Sequence, residues 1–138
     1  MSENILLVGS GAREHSIAKA IDRSTNLNDI FCLASNMNPG IASLCKEFIV
    51  DDFNNPETVS GYATKNNISM AIIGPENPLQ KGVVDSLWNL GVGVVGPKKD
   101  LAQIETSKTF TRNLLKKHNI PGGPKYKTFK CLDGVKDF

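Results

Sequence analysis

The chain has 138 residues, 40% of them hydrophobic and 22% charged, which suits one soluble domain with one core. It holds no run of about 18 apolar residues, and Glu3 stands where a secretory leader carries positive charge. A membrane protein and a secreted one are therefore set aside, and a cytoplasmic protein is expected. The net charge of +2 divides unevenly, with 7 Lys/Arg against 10 Asp/Glu in residues 1–98 and 9 against 4 in residues 99–138. Beyond Tyr126 and Phe129 no exposed aromatics are evident among the basic residues, and no nucleic-acid reading module is recognisable, so the excess reads as a solvated face and no nucleic-acid partner is expected.

The apolar run Ile5–Val8, closed by Gly9, has the pattern of a strand buried on both faces of a parallel sheet. From Glu14 the apolar positions Ile17, Ala18 and Ile21 predict a helix ending near Arg23–Ser24. Ile30–Ala34, Phe48–Val50, Met70–Ile73 and Gly93–Val95 read as four further strands. Asn55 before Pro56 marks a helix running to about Lys65, and Gln80–Leu90, stopped by Gly91, marks another. Alternating strands and helices joined by short connections imply an α/β fold. The expected architecture is a Rossmann-like, doubly wound parallel sheet of about five strands with helices on both faces.

Beyond Pro97 the pattern predicts a short turn at Asp100–Ile104 and an amphipathic helix at Thr106–His118, with Phe110 and Leu114 inward. Asn119–Pro124, with two prolines and two glycines, reads as a linker. Lys125–Lys130 reads as a strand. The expected organisation is a substrate-binding domain at 1–104, a connecting helix at 105–120, and a linker with the start of a further domain at 121–138. Cys32, Cys45 and Cys131, odd in number and widely spaced, with no clustered histidines, read as reduced thiols acting as small hydrophobes, and no metal site is expected.

Three segments follow strand ends and would meet at the carboxyl edge of the sheet, where ligands bind in this architecture. Gly9, Ser10, Gly11 and Arg13 stand where a strand hands over to a helix, a place that favours an anion, and Arg13 could add a forked contact. A plain tight turn explains the glycines equally well. In Gly74–Leu79, Glu76 is a candidate acceptor for ribose hydroxyls or a solvated loop acid. Pro39 and Gly40 sit in a third loop of turn-forming composition. A dinucleotide site would need G-x-G-x-x-G and an acid about 20 residues on. Here Glu14 replaces the third glycine and the second strand ends Ala34-Ser35-Asn36, so a smaller phosphorylated ligand is favoured.

The segments VGSGAREHSIAKAI, SNMNPGIA, IIGPENPLQKGVVDSL and VVGPKKDLAQIETSKTFTRNLLKKHNIPGGPKY together resemble, across nearly the whole chain, the N-terminal domain of glycinamide ribonucleotide synthetases of the ATP-grasp superfamily. That resemblance implies a role in purine biosynthesis: ATP phosphorylates glycine, and the amine of 5-phosphoribosylamine attacks the acyl phosphate. It implies a sugar-phosphate site at Gly9, Ser10, Gly11, Arg13 and His15. It further implies a ribose-facing loop of Pro75, Glu76 and Pro78, and an ATP-phosphate contact from Lys108. ATP with magnesium or manganese belongs to the complete enzyme, whose ATP-grasp portion is the expected partner, and this chain alone is expected to be inactive. A stand-alone nucleotide or sugar-phosphate module, or the N-domain of another ATP-grasp purine enzyme, remain the alternatives.

Overall fold

The computed structural model describes residues 3–26 and 28–137; Met1 and Phe138, the outer limits of the expected first and last segments, lie outside them. Two compact units divide the chain after Ala102.

In the first unit five strands form one parallel sheet: β1 (Glu3–Val8), β2 (Asn28–Ala34), β3 (Glu47–Val50), β4 (Met70–Ile73) and β5 (Gly93–Val95). Their spatial order is β3-β2-β1-β4-β5, with Ile5 opposite Ile30 on one side and Met70 on the other. The helices are α1 (Ala12–Asp22), α2 (Pro39–Ala42), α3 (Pro56–Lys65), α4 (Glu76–Lys81), α5 (Val83–Asn89), α6 (Lys99–Thr106) and α7 (Lys108–Lys117).

Strand alternation divides the core between the two faces. Leu6, Val8, Phe31 and Leu33 pack under α3, α4 and α5 through Val59, Tyr62, Leu79, Val84 and Leu87. Leu7, Cys32 and Ala34 pack on the other face with Ala18 of α1 and Ile41 of α2. Two covered faces explain why β1 is apolar at consecutive positions. The order reverses at β1, whose neighbours β2 and β4 lead on to α2 on one side and α4 on the other. The crevice between the carboxyl ends of β1 and β4 is therefore the topological switch point.

Several elements differ from the sequence reading. The helix expected at Gln80–Leu90 is two helices, because Gly82 adopts φ 90, a left-handed conformation that ends one helix and starts another. The first of the two begins at Glu76, well before Gln80; Pro78 sits in its opening turn, where a missing N–H does no harm. Pro39-Gly40 is not a plain turn but the start of a one-turn helix capped by Asn38. Lys125–Lys130 forms no strand, since a strand needs a ladder partner for its backbone groups.

In the second unit, α6 extends to Thr106 and the chain breaks at Ser107, whose hydroxyl caps α7 by accepting from Phe110 N–H at 3.2 Å. No residue of α7 is buried. Phe110 is exposed and Leu114 half-buried, so the inward face expected there is only partly covered. Of the three cysteines, Cys32 is buried, Cys45 half-buried and Cys131 exposed, all as free thiols; only Cys32 matches the expected buried hydrophobe.

Candidate functional site

The three strand-end segments do come together. Gly9, at φ +118, lies so close to the β4–α4 turn that a Cβ there would stand 2.9 Å from Pro75 Cδ. Its N–H donates to Leu33 O at 3.0 Å, tying the loop to the end of β2. Asn38 Nδ2 donates to Ser10 O at 2.9 Å, while Asn38 Oδ1 accepts from Gly40 N–H and Ile41 N–H. One side chain thus caps α2 and holds the first loop. His15 lies over Gly40, where a Cβ would fall 2.6 Å from its Nε2, and this contact joins α1 to the head of α2.

Beneath the first loop lies Glu14, 4% exposed. Its Oε2 accepts Gly11 N–H at 2.5 Å, which satisfies one of the donors that a helix start leaves open. Its other oxygen is buried with no hydrogen-bond partner among the described residues. A Cβ at Gly9 would lie 3.0 Å from Glu14 Cγ, one at Gly11 2.7 Å from Oε2, and one at Gly74 would overlap Oε1. The three glycines therefore make room for this carboxylate. The N–H groups of Gly9 and Gly11 are both spent inside the protein.

What remains open to a ligand is the outer rim. Ser10, Ala12 and Arg13 donate their backbone N–H groups to no acceptor among the described residues, and the positive end of the α1 dipole lies there. The Arg13 side chain is exposed and forms no ion pair within the described part. Glu76 is exposed at the first position of α4, and Pro75, its N-cap, is half-buried. Pro78 is fully buried and braces the turn from below. Pro39 is exposed and Gly40 half-buried. Lys108, the exposed first residue of α7, belongs to the second unit.

Sequence reasoning missed two residues. Asn38 carried a visible signal, the Asn-Pro pair that also predicts α3. Glu14 was weighed only as an obstacle to pyrophosphate, since nothing local says that a carboxylate folds back under its own loop. Beside the loop, Cys32 Sγ donates to Gly9 O at 3.4 Å; its thiol is held far above the usual range by the Cys45 side chain and by burial. No three His, Cys, Asp or Glu side chains gather as a metal site among the described residues, and no helix there is long and apolar enough to cross a membrane.

An open parallel sheet whose strand-end loops converge on a helix start at the switch point defines an α/β domain of Rossmann type. Residues 3–105 match the family "Phosphoribosylglycinamide synthetase, N domain", and the chain belongs to that family. The phosphoribosylamine–glycine ligase of Methanosarcina barkeri is 47% identical over 97% of this chain and 31% of its own length. The chain thus spans about a third of the curated relatives it matches.

Two solved structures share the fold. Phosphoribosylglycinamide synthetase from Anaerococcus prevotii matches with TM-score 0.62 and 18% identity, over 86% of this chain and 30% of that one. N5-carboxyaminoimidazole synthetase from Staphylococcus aureus, solved with ADP, matches with TM-score 0.65 and 13% identity, over 88% and 31%.

Proposed function

We propose that this chain supplies the sugar-phosphate wall of a phosphoribosylamine–glycine ligase. In the complete enzyme ATP phosphorylates glycine, and the amine of 5-phosphoribosylamine attacks the acyl phosphate to give glycinamide ribonucleotide. The observation that carries this reading is the rim itself: the open N–H groups of Ser10, Ala12 and Arg13, with the exposed Arg13 side chain, at the head of α1. Backbone donors and a guanidinium fork suit the oxygens of a phosphate monoester. Glu76, at the head of α4 across the switch point, suits a ribose diol because an ionised carboxylate only accepts. His15 and the turn at Pro39 and Gly40 shape the rim from the α2 side.

The role of this chain is to bind and orient. Holding the amine where the activated glycine arrives turns an encounter into a positioned attack. ATP and magnesium or manganese would be held by the ATP-grasp portion of the complete enzyme, and Lys108 is assigned to the ATP phosphates as an added cation. The chain alone is expected to form no product.

Calorimetric titration with ribose 5-phosphate, a stable stand-in for the aminosugar, tests the reading. Arg13→Ala should weaken binding by about tenfold, as expected for a charge-assisted hydrogen bond of about 1.5–3 kcal/mol partly replaced by water, without changing the circular dichroism. Equal affinity in the two proteins would remove the phosphate assignment. Mixing the chain with the remaining portion of a full-length relative should restore ATP-dependent glycinamide ribonucleotide formation.

A further inference from the structure

We propose that Glu14 restricts the first loop to a single phosphoryl group, so that a sugar monophosphate is accepted there and a pyrophosphate is refused. This inference rests on reading the rim as a sugar-phosphate site and names the residue that sets its selectivity.

In the dinucleotide fingerprint the second glycine lets the backbone approach the pyrophosphate and the third lets the helix pack closely on the strand. Here the same frame runs Gly9-Ser10-Gly11-Ala12-Arg13-Glu14, with a glutamate in the third place. Its side chain turns back into the space that Gly9, Gly11 and Gly74 leave free, between the carboxyl ends of β1 and β4. The volume that would bring a diphosphate close to the backbone is filled by protein.

The carboxylate also removes a donor. Gly11 N–H, which a pyrophosphate would need, is held by Glu14 Oε2 at 2.5 Å. The other oxygen is buried and unpartnered and takes up the space beside that N–H. A second phosphoryl group entering the crevice would meet a filled volume and a donor already taken, an arrangement that specific sites use for rejection. The donors left to a ligand lie outward, on Ser10, Ala12 and Arg13, enough for one phosphoryl group.

The test compares ribose 5-phosphate with ADP-ribose, which carries a ribose 5-phosphoryl end extended by a second phosphoryl group. The 138-residue chain should prefer the monophosphate by about tenfold or more. Glu14→Gly completes the fingerprint and should raise ADP-ribose affinity by about tenfold. Glu14→Gln keeps an oxygen for Gly11 N–H and puts an amide donor in place of the unpartnered oxygen, and should raise it by about two- to fivefold.

Circular dichroism checks folding, and if Glu14→Gly does not fold, Glu14→Gln decides. ADP-ribose affinity that stays at the parent level in the folded variants overturns the proposal. A parent chain that binds no ribose 5-phosphate sinks the proposed function instead, while a gain of ADP-ribose binding on substitution still upholds this role for Glu14.

Discussion

Residues 3–102 and residues 103–137 carry similar amphipathic patterns with opposite outcomes. In the first region every helix finds a sheet: Leu6, Leu7, Leu33, Ile41, Val59 and Leu87 are all completely buried. In the second, α7 spaces Phe110 and Leu114 as a buried face requires, yet no residue of α7 is buried, and Ile120 and Leu132 are exposed. A helix gains most of its stability from what it packs against. Periodicity states that an element has a face to bury and leaves open what will cover it. The candidate site lies in the region where that question has an answer, as a site held within fractions of an ångström requires.

Three paired substitutions sharpen or break this contrast. The largest separation is expected between Leu6→Ala, which opens a cavity in the sheet core and should cost about 2–5 kcal/mol, and Leu132→Ala, which should stay within about 0.5 kcal/mol. Urea unfolding monitored by Trp88 fluorescence reads both, and comparable costs would mean that the second region is packed as tightly as the first.

Next come two glycines. Gly9→Ala puts a Cβ at φ +118 and 2.9 Å from Pro75 Cδ, which should cost about 1–3 kcal/mol. Gly123→Ala meets Arg112 and Leu115 at 3.5 and 3.7 Å, ordinary contact distances, and should change stability by about 0.5 kcal/mol or less.

The smallest difference is between two helix caps. Asn38→Ala removes the cap of α2 together with the bond to Ser10 O, and should cost about 1–2 kcal/mol by urea unfolding. It should also weaken ribose 5-phosphate binding by loosening the loop. Ser107→Ala removes only the cap of α7. It should cost about 0.5–1 kcal/mol of helix stability, seen as lost helical ellipticity with ribose 5-phosphate binding unchanged.

The sheet was legible strand by strand. Continuous apolar runs such as Ile5–Val8 arise only where both faces are covered, and short βαβ connections leave few topologies. Helix boundaries were less legible where one residue decides. Gly82 reads equally well as a tolerated mid-helix glycine or as the break it is, and Pro78 reads as a loop residue until it is seen in the opening turn of α4. At the candidate site the positions of Gly9, Ser10, Gly11, Arg13 and Glu76 along the sheet edge followed from strand ends alone. The buried state of Pro78 did not, because burial depends on what the rest of the chain lays over a residue.

The amino-acid order by itself determined an open parallel α/β sheet, a helix start suited to an anion after β1, and an acid in the segment that follows β4. All three follow from local periodicity, capping chemistry and connection length. Only the tertiary structure decided what the glycines of the first loop are for. Gly74 lies 60 residues beyond Glu14 in the chain and beside it in space, and no local rule couples residues so far apart. Close packing does, because a buried carboxylate needs both a donor and a volume, and the fold provides Gly11 N–H for the one and three absent side chains for the other.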